Sequence, residues 1–362
     1  MTRLRGSVAL LSLCLVLLSP SRARAISQPS TFSVVAYDSV TQELGVAVQS
    51  RYFSVGTAVP WAEAGAGAVA TQASVNVTLG PRALALLRTG MSAPEVMQAL
   101  AATDSLWNSR QFGIVDARGR AANWTGKKCI DYAGGEVGPG FAVQGNILAG
   151  SAVVQGMAKA MRSTKGELAE RLITALEAAQ AAGGDKRGMQ SAALLIVRPC
   201  ATHPEYRTRY VDLRVEDHKT PIQELRRVWQ IHEGFHMPNA HLAFAKEYEA
   251  AGQMDLARME KDRVGESVTR ALARGERDAS LLNGLAWTCA TNDIFLPEAL
   301  RAAERAASIE PKDTDILDTL AETHFRNGNI DKAIEVETKA SKIDPKNNYL
   351  KEQIARFQAA KK

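Results

Sequence analysis

Residues 31–72 constrain the fold of this chain more than any other stretch. Their three short apolar runs lie at residues 31–37, 44–49 and 66–72. The first two runs alternate with the period of a strand, and a mostly polar connection joins them, so they predict a β-hairpin. The hairpin begins on Thr31, a hydroxyl residue that becomes a nucleophile when its own α-amine is free to accept the hydroxyl proton.

The first 25 residues are typical of a secretory signal peptide. Arg3 and Arg5 form a basic start, residues 8–18 form an apolar stretch, and residues 23–25 form a small-x-small cleavage site. The apolar stretch is shorter than the roughly 20 residues that span a bilayer, so a membrane anchor is the weaker alternative. We therefore expect an exported protein, periplasmic or extracellular, that is cleaved near Ala25.

Removal of this signal peptide leaves a chain with almost no net charge. The whole sequence holds 44 Lys and Arg residues against 39 Asp and Glu residues. Four arginines and no acidic residue lie in the signal, so 40 basic residues remain against 39 acidic ones. A chain without a basic surplus lacks the charge typical of nucleic-acid-binding proteins, and we expect no nucleic-acid partner.

Cysteine and histidine spacings predict no metal site. Cys129, Cys200 and Cys289 follow the signal peptide and fit no zinc-binding pattern. In an exported protein, Cys129 and Cys200 either pair or remain thiols, because the sequence does not give the connectivity. The histidines share no ligand spacing, and neither a phosphate loop nor a Gly-x-Ser-x-Gly element occurs. We therefore expect no metal and no cofactor.

Strands and helices alternate up to residue 236. Helical patterns at residues 81–90 and 93–102 follow the first hairpin, and a Ser92/Glu95 capping box opens the second of them. Then come a second hairpin, a glycine-rich loop, two helices, two strands and a final helix, at residues 112–124, 134–150, 152–182, 192–216 and 221–232. This order predicts an α+β domain in which two stacked sheets lie between helix layers.

An internal repeat begins after residue 238, where alanine, leucine and charged residues replace glycine. Residues 280–311 and 314–345 align with a period of about 34 residues, which is typical of tetratricopeptide helix pairs. Residues 240–275 form a divergent third copy with an extended second helix, and residues 350–362 form a polar capping helix. An unrelated helical bundle is the alternative. The predicted divisions are a signal peptide at 1–25, an α+β domain at 26–236 and a repeat domain at 239–362.

Polar residues converge at the ends of the predicted strands, where binding groups often lie. We predict Thr31 and Arg51 as catalytic residues. The predicted substrate-binding residues are Ser50, Thr71, Gln72, Asn76, Asn146, Asp185, Arg187, Gln190 and Ser191. Ordinary turn polarity is the alternative explanation for several of them, above all for the charged turn at 185–191.

Several segments resemble the domain of unknown function 1028 family. They include TFSVVAYD from residue 31, GVAVQSRYFSVGTAVPWAEAGAGAVATQA from residue 45, FGIVDARGRAANWTGKKC from residue 112, FAVQGNILAG from residue 141 and QAAGGDKRGMQSAALLIV from residue 180. The resemblance implies membership of the N-terminal-nucleophile hydrolase superfamily, a four-layer αββα sandwich and Thr31 as the nucleophile. It implies no particular reaction, because no activity is established for the family.

Two functional hypotheses follow. In the first, the chain is an exported N-terminal-nucleophile amidohydrolase or peptidase that acts on an amide-containing ligand, and its repeats bind a peptide or protein partner. Cleavage after Ala25 leaves residues 26–30 in front of Thr31, so a second cleavage has to free the amine of Thr31. In the alternative, the domain is a catalytically inactive ligand-binding or scaffolding protein.

Overall fold

The computed structural model describes residues 31–361, which form ten strands and thirteen helices besides two short 3-10 turns. The strands are β1 (Thr31–Tyr37), β2 (Leu44–Ser50), β3 (Pro60–Glu63), β4 (Gly67–Ala73), β5 (Arg110–Asp116), β6 (Ala121–Thr125), β7 (Gly134–Gly138), β8 (Phe141–Asn146), β9 (Ser191–Val197) and β10 (Val211–Val215). The predicted signal peptide and residues 26–30 lie outside the described residues.

The helices are α1 (Leu79–Arg88), α2 (Ala93–Ala101), α3 (Ser151–Ser163), α4 (Leu168–Ala181), α5 (Tyr206–Arg209), α6 (Pro221–Phe235), α7 (Met237–Ala250), α8 (Met254–Ala273), α9 (Ala279–Thr291), α10 (Leu296–Ile309), α11 (Thr314–Arg326), α12 (Ile330–Ile343) and α13 (Asn348–Ala360). None of the helices within residues 31–361 is long and apolar enough to cross a membrane. The sequence therefore folds into a sheet-containing region followed by a helical region, an α+β arrangement.

Two antiparallel sheets face each other in the first region. The first sheet has the strand order β10-β9-β2-β1-β8-β7, and the second has the order β3-β4-β5-β6. Because successive side chains alternate between the faces of a strand, Val35 of β1 points toward the second sheet while Phe32 and Val34 point toward helices. Both faces of β1 are buried, which explains why its apolar residues are nearly continuous.

Helices cover the outer face of each sheet. Residues of α3, α4 and α6 pack on the first sheet, among them Met157, Leu172 and Trp229. Residues of α1 and α2 pack on the second sheet, among them Leu84 and Val96. Burial of apolar side chains at about 25 cal/mol per Å² drives this packing, and it leaves the space between the sheets as a separate core.

Consecutive helices pair in the second region, where α7 packs with α8, α9 with α10, and α11 with α12. Fully buried alanines lie between the paired helices, including Ala286, Ala299, Ala321 and Ala333, and their small side chains allow a close approach. The 20-residue α8 confirms the predicted extension of the second helix in the first pair.

The glycine-rich stretch 134–150 was predicted as a loop, and this prediction is wrong for most of it. Residues 134–138 and 141–146 form β7 and β8 at one edge of the first sheet. Glycine is required here by packing, because a Cβ on Gly135 would overlap the side chain of Asn123 and one on Gly138 would overlap the ring of Phe141. Composition alone therefore indicated flexibility where the tertiary structure requires a lack of side chains.

Candidate functional site

A row of hydroxyl and amide residues lies where β9, β2, β1 and β8 end side by side. Thr31 is opposite Ser50 on one side and Asn146 on the other, and Ser50 is opposite Ser191. The Oγ1 atom of Thr31 is 3.0 Å from the Oγ atom of Ser50. Only 2% of Thr31 is exposed, because its side chain shares the inward face of β1 with Val35. The row thus places a hydroxyl pair between the two sheets.

Gln72 of β4 links this row to the second sheet. Its Nε2 atom donates hydrogen bonds to the carbonyl oxygen of Thr31 at 3.3 Å and to Oε1 of Gln111 at 2.7 Å. Its Oε1 atom accepts a 2.7 Å hydrogen bond from the hydroxyl of Ser33, which in turn accepts one from Nε2 of Gln144 at 2.7 Å. Four buried polar side chains therefore position the strand that carries Thr31.

Gln111 of β5 completes the same network. Its Oε1 atom also accepts from Nδ2 of Asn146 at 2.9 Å, and its Nε2 atom donates to Thr125 and to the carbonyl oxygens of Gly134 and Gly145. We call Ser33, Gln72, Gln111, Gln144 and Asn146 the amide network. It is built from neutral groups that are at most 2% exposed, and hydrogen bonding compensates for much of their burial.

The charged turn that follows α4 is fastened to the end of β2. The carboxylate of Asp185 accepts hydrogen bonds from the backbone N–H of Arg51 at 3.1 Å and from that of Arg187 at 2.8 Å. Nη2 of Arg187 lies 3.1 Å from the same carboxylate, and Nη1 of Arg51 donates to the carbonyl oxygen of Arg187 at 2.9 Å. Asp185 therefore organises the turn, while the guanidinium group of Arg51 remains exposed at its edge.

Gln190 and Ser191 join this turn to the row of strand ends. The backbone N–H of Gln190 donates to the carbonyl oxygen of Ser50 at 3.1 Å. The hydroxyl of Ser191 donates to the carbonyl oxygen of Tyr52 and accepts a 3.1 Å hydrogen bond from the N–H of Val55. The structure thus brings together nine of the eleven predicted site residues at one end of the sheets.

Thr71 and Asn76 lie apart from this group. Thr71 is on the face of β4 that is turned toward α1 and α2, and its hydroxyl donates to the carbonyl oxygen of Ala58 at 3.0 Å. Asn76 closes a turn before α1, where its Oδ1 atom accepts hydrogen bonds from the N–H and the hydroxyl of Thr78. A position at a strand end does not tell which face of the strand a side chain occupies. For this reason Thr71 was predicted as a binding residue together with its neighbour Gln72.

Ser33, Gln111 and Gln144 belong to the network at the site but are not among the residues predicted from the sequence. All three are buried on inward-facing positions of apolar strands. A polar residue at an alternating position of an otherwise buried strand was the available signal, because such a group needs a partner on the facing sheet. The identity of that partner depends on how the two sheets stack.

A second buried polar cluster, also not predicted, lies where the sheets meet α7 and α8. Arg198 follows β9, and its guanidinium group lies 3.2 Å from Oε1 of Glu43 and 2.6 Å from Oε1 of Glu260. The same group lies 3.5 Å from the centre of the Phe244 ring. His241 is also fully buried, and its Nδ1 atom is 2.7 Å from Oε2 of Glu260.

Glu167, which precedes α4, contacts the other side of this cluster, with its Oε2 atom 3.5 Å from Nε2 of His241. Burial by itself lowers the pKa of His241, but the carboxylates of Glu167 and Glu260 together outweigh it and raise the pKa. Burial by itself raises the pKa of both glutamates, but the contact with His241 and the charges of His241 and nearby arginines together outweigh it and lower each pKa to about 2. We call Glu43, Glu167, Arg198, His241 and Glu260 the interface cluster, because it connects the sheet-containing region to the helical region.

The three described cysteines are free. Cys129 contacts the carbonyl oxygen of Arg110, and Cys200 contacts Glu247, so the alternative of a disulfide between these two cysteines is not realised in this structure. Within residues 31–361, no group of three or more His, Cys, Asp and Glu side chains is placed to hold a metal ion.

Two solved structures are similar to parts of the chain. The crystal structure of a DUF1028-family protein from Silicibacter pomeroyi is 29% identical, has a TM-score of 0.51, and covers 56% of this chain and 89% of that one. The first tetratricopeptide domain of Spaghetti, solved with an HSP90 peptide, covers 35% of this chain and 94% of that one. Its identity of 12% and TM-score of 0.24 are too low to support an inference about the helical region.

No curated protein matches the chain. The model of the family of unknown function DUF1028 matches residues 31–225, which begin at Thr31 and include both sheets, the amide network and the turn at 185–191. This chain belongs to the DUF1028 family.

Proposed function

We propose that the sheet-containing region is an exported amide hydrolase of the N-terminal-nucleophile type, with Thr31 as its nucleophile. The observation that carries the proposal is the position of Thr31. It is the first residue of a central strand, and its Oγ1 atom is buried 3.0 Å from the hydroxyl of Ser50. Two facing sheets between helix layers are compatible with the four-layer sandwich of that superfamily.

The proposed mechanism requires hydrolysis of the peptide bond between residues 30 and 31. The freed α-amine of Thr31 then accepts the Oγ1 proton while Oγ1 attacks the carbonyl carbon of the substrate amide. Backbone N–H groups and Arg51 stabilise the oxyanion of the tetrahedral intermediate. Its collapse breaks the C–N bond, the leaving amine takes the proton, and water hydrolyses the resulting ester of Thr31.

The test begins with the mass of the mature protein isolated after export from its native host. We expect a chain that starts at Thr31. After incubation with a β-lactone, this chain gains the mass of one lactone, because Oγ1 opens the lactone ring and forms an ester. Thr31→Ala abolishes this labelling, whereas Thr31→Ser retains it. Thr71→Ala is the matched control, since Thr71 also lies near a strand end but faces α1 and α2.

A mature chain that starts at Ile26, combined with equal labelling of the wild-type protein and Thr31→Ala, would overturn this proposal. Loss of labelling in Thr71→Ala to the same extent as in Thr31→Ala would also count against it, because the effect would then reflect folding rather than chemistry at Thr31.

We also infer a second function, the binding of an acidic peptide by the helical region, whose paired helices we assign to the tetratricopeptide type. A groove of about 790 Å³ is lined by residues of α10, α11 and α12 and of the connection after α10. Leu317, Leu320 and Val336 form apolar walls, and Lys339 and Lys342 line the groove without an ion pair within the described part of the chain. Such a groove is complementary to a segment that combines acidic and apolar side chains.

A labelled synthetic peptide of glutamates with interspersed leucines tests this second function on the full mature chain. We expect the double variant Lys339→Glu and Lys342→Glu to weaken binding at least about tenfold. The double variant Lys159→Glu and Lys165→Glu, in the sheet-containing region, is matched in charge and leaves binding unchanged. Equal weakening by both double variants, or equal binding of a peptide with alanine in place of leucine, would contradict the proposed groove.

A further inference from the structure

Two cavities adjoin beside the turn at 185–191. One has a volume of about 280 Å³ and lies between the end of α4 and the start of α6. The other is an open groove of about 920 Å³ along the end of the first sheet. Met189 and Thr220 line both. The combined volume of the two cavities exceeds about 300 Å³, the lower end of the range for small-molecule sites.

The smaller cavity is mainly apolar. Ala181, Met189 and Ile222 contribute its apolar walls, and Ile222 is 3% exposed. Glu177 also lines it, but its carboxylate is engaged by Arg226, with 3.0 Å between Oε1 and Nε. Gln180, Thr220 and Gln223 complete the lining with uncharged polar groups. The cavity therefore presents mostly hydrocarbon, together with neutral groups and a neutralised carboxylate, which suits an alkyl or acyl chain rather than a charged group.

The open groove, in contrast, is lined by charged side chains. Arg51 and Lys219 line it, and neither makes an ion pair within residues 31–361. The Nη1 atom of Arg51 donates to the carbonyl oxygen of Arg187, which leaves the other N–H groups of the guanidinium without a partner among the described residues. Asp217 is the one acidic residue in the groove lining. A guanidinium group held at one corner in this way is suited to bind a carboxylate.

We propose that the two cavities form one binding site for a carboxylate that bears an aliphatic chain. The head group lies at Arg51 and Lys219, and the chain passes Met189 into the smaller cavity. A small polar anion leaves the apolar cavity unfilled, and an uncharged hydrocarbon leaves the cations unpaired. A ligand with a carboxylate and an aliphatic chain pairs with the cations of the groove and fills the apolar cavity.

This site goes beyond the proposed hydrolase function, because it requires binding only and no chemistry at Thr31. It lies next to the row of strand ends, since the N–H of Gln190, another groove residue, donates to the carbonyl oxygen of Ser50. Binding therefore survives in a Thr31→Ala variant even if the hydrolase proposal fails.

Titration calorimetry of the mature chain with octanoate tests the site, with acetate and octylamine as matched probes. We expect saturable binding of octanoate, and each methylene removed from the chain weakens it roughly fourfold. Octylamine has the same chain with the opposite charge, and acetate has the same head group without the chain, so neither binds measurably at the concentrations that saturate octanoate.

Two variants separate the two parts of the site. Ala181→Trp fills the apolar cavity from an exposed helix position, and Lys219→Gln removes a cation that has no ion pair in the described structure. Each weakens octanoate binding at least about tenfold. Lys159→Gln on α3 is the matched control and leaves it unchanged. Absence of saturable octanoate binding, equal binding of acetate or octylamine, or equal weakening in the control would overturn the proposal.

Discussion

The amide network and the interface cluster are both buried and polar, but they are built from different groups. The amide network consists of neutral side chains between the two sheets, whereas the interface cluster consists of ions and a histidine between the sheets and α7 and α8. Neutral groups need only hydrogen-bond partners when they are buried. Ions also need a compensating charge, because the loss of their hydration costs several kcal/mol per ion.

This difference indicates two roles. Neutral groups position the strand that carries Thr31 without making its geometry depend on pH. Charged groups connect the first sheet to the helical region, since Glu43 directly precedes β2, Arg198 follows β9 and Glu260 belongs to α8. We expect the amide network and the interface cluster to respond differently to substitution, to added charge and to pH.

Loss of Arg198 should have the largest effect. Arg198→Leu leaves Glu43 and Glu260 buried with Arg263 as their remaining shared cation, at 3.7 and 3.3 Å, and we expect the free energy of unfolding to fall by about 3–5 kcal/mol. Urea denaturation measures this change. The control is Arg214→Leu, because Arg214 is exposed and pairs with Asp212 at the surface, where an ion pair contributes about 1 kcal/mol or less. An Arg198 variant as stable as the control would show that the cluster does not connect the two regions.

Introduction of a charge into the amide network should be nearly as costly. In Gln111→Glu, a carboxylate oxygen replaces the Nε2 donor and faces Thr125 and the carbonyl oxygens of Gly134 and Gly145. Each lost hydrogen bond that leaves a buried group unsatisfied costs about 1–3 kcal/mol. We expect strong destabilisation at pH 8 that decreases as the pH falls and the new carboxyl group becomes protonated. Equal destabilisation at pH 5 and pH 8 would contradict the requirement for neutral groups.

A smaller loss of stability is expected from a substitution at Gly113 of β5, which lies against the side chain of Gln144. A Cβ on Gly113 would overlap the side-chain amide of Gln144, so Gly113→Ala displaces Gln144 from Ser33 and destabilises the fold by about 1–3 kcal/mol. Gly284→Ala is the control, because Gly284 lies in α9 with no neighbouring atom within 4 Å. Alanine there stabilises the helix by up to about 1 kcal/mol. Thermal unfolding of both variants distinguishes close packing from a general effect of alanine.

The pH dependence of stability should give the smallest effect. Because the pKa of His241 is raised above 6.5, its contribution is complete below pH 6.5 and is lost as the pH rises through the folded value. Glu167 and Glu260 act in the opposite direction, since their pKa values of about 2 make their contribution complete above pH 4.5 and lost as the pH falls toward 2. Burial raises the pKa of Glu233 to about 7, so its contribution is lost between pH 4.5 and 7.

Together these shifts predict that the free energy of unfolding is highest near pH 4.5, falls as Glu233 ionises toward pH 7, and falls further as His241 loses its proton above pH 6.5. Urea titrations at a series of pH values measure this profile. In His241→Asn, the part of the decrease above pH 6.5 that depends on His241 disappears, although Arg263 and Arg270 still compensate the neighbouring glutamates. An unchanged profile in this variant would exclude His241 as the source of the dependence.

The local sequence was sufficient to predict most elements and their order. Alternation predicted the first hairpin, and the Ser92/Glu95 pattern predicted the capping box that opens α2. The strand-end pattern also selected residues that meet at one place, such as Thr31, Ser50 and Asp185. It failed for Thr71, whose side chain is turned to the other face of β4. The glycine-rich composition was misleading at β7, whose glycines are required by neighbouring side chains.

The sequence by itself determined the alternation of strands, the approximate positions of most helices and the threonine that begins β1, because these features depend on contacts within a few residues. Only the tertiary structure decided which buried polar groups meet. Gln72 and Gln111 satisfy each other on neighbouring strands of the second sheet, while Arg198 and Glu260 are 62 residues apart in the chain. A buried polar residue in a sequence states that a partner is needed, and the stacking of sheets and helices determines which partner is within hydrogen-bonding distance.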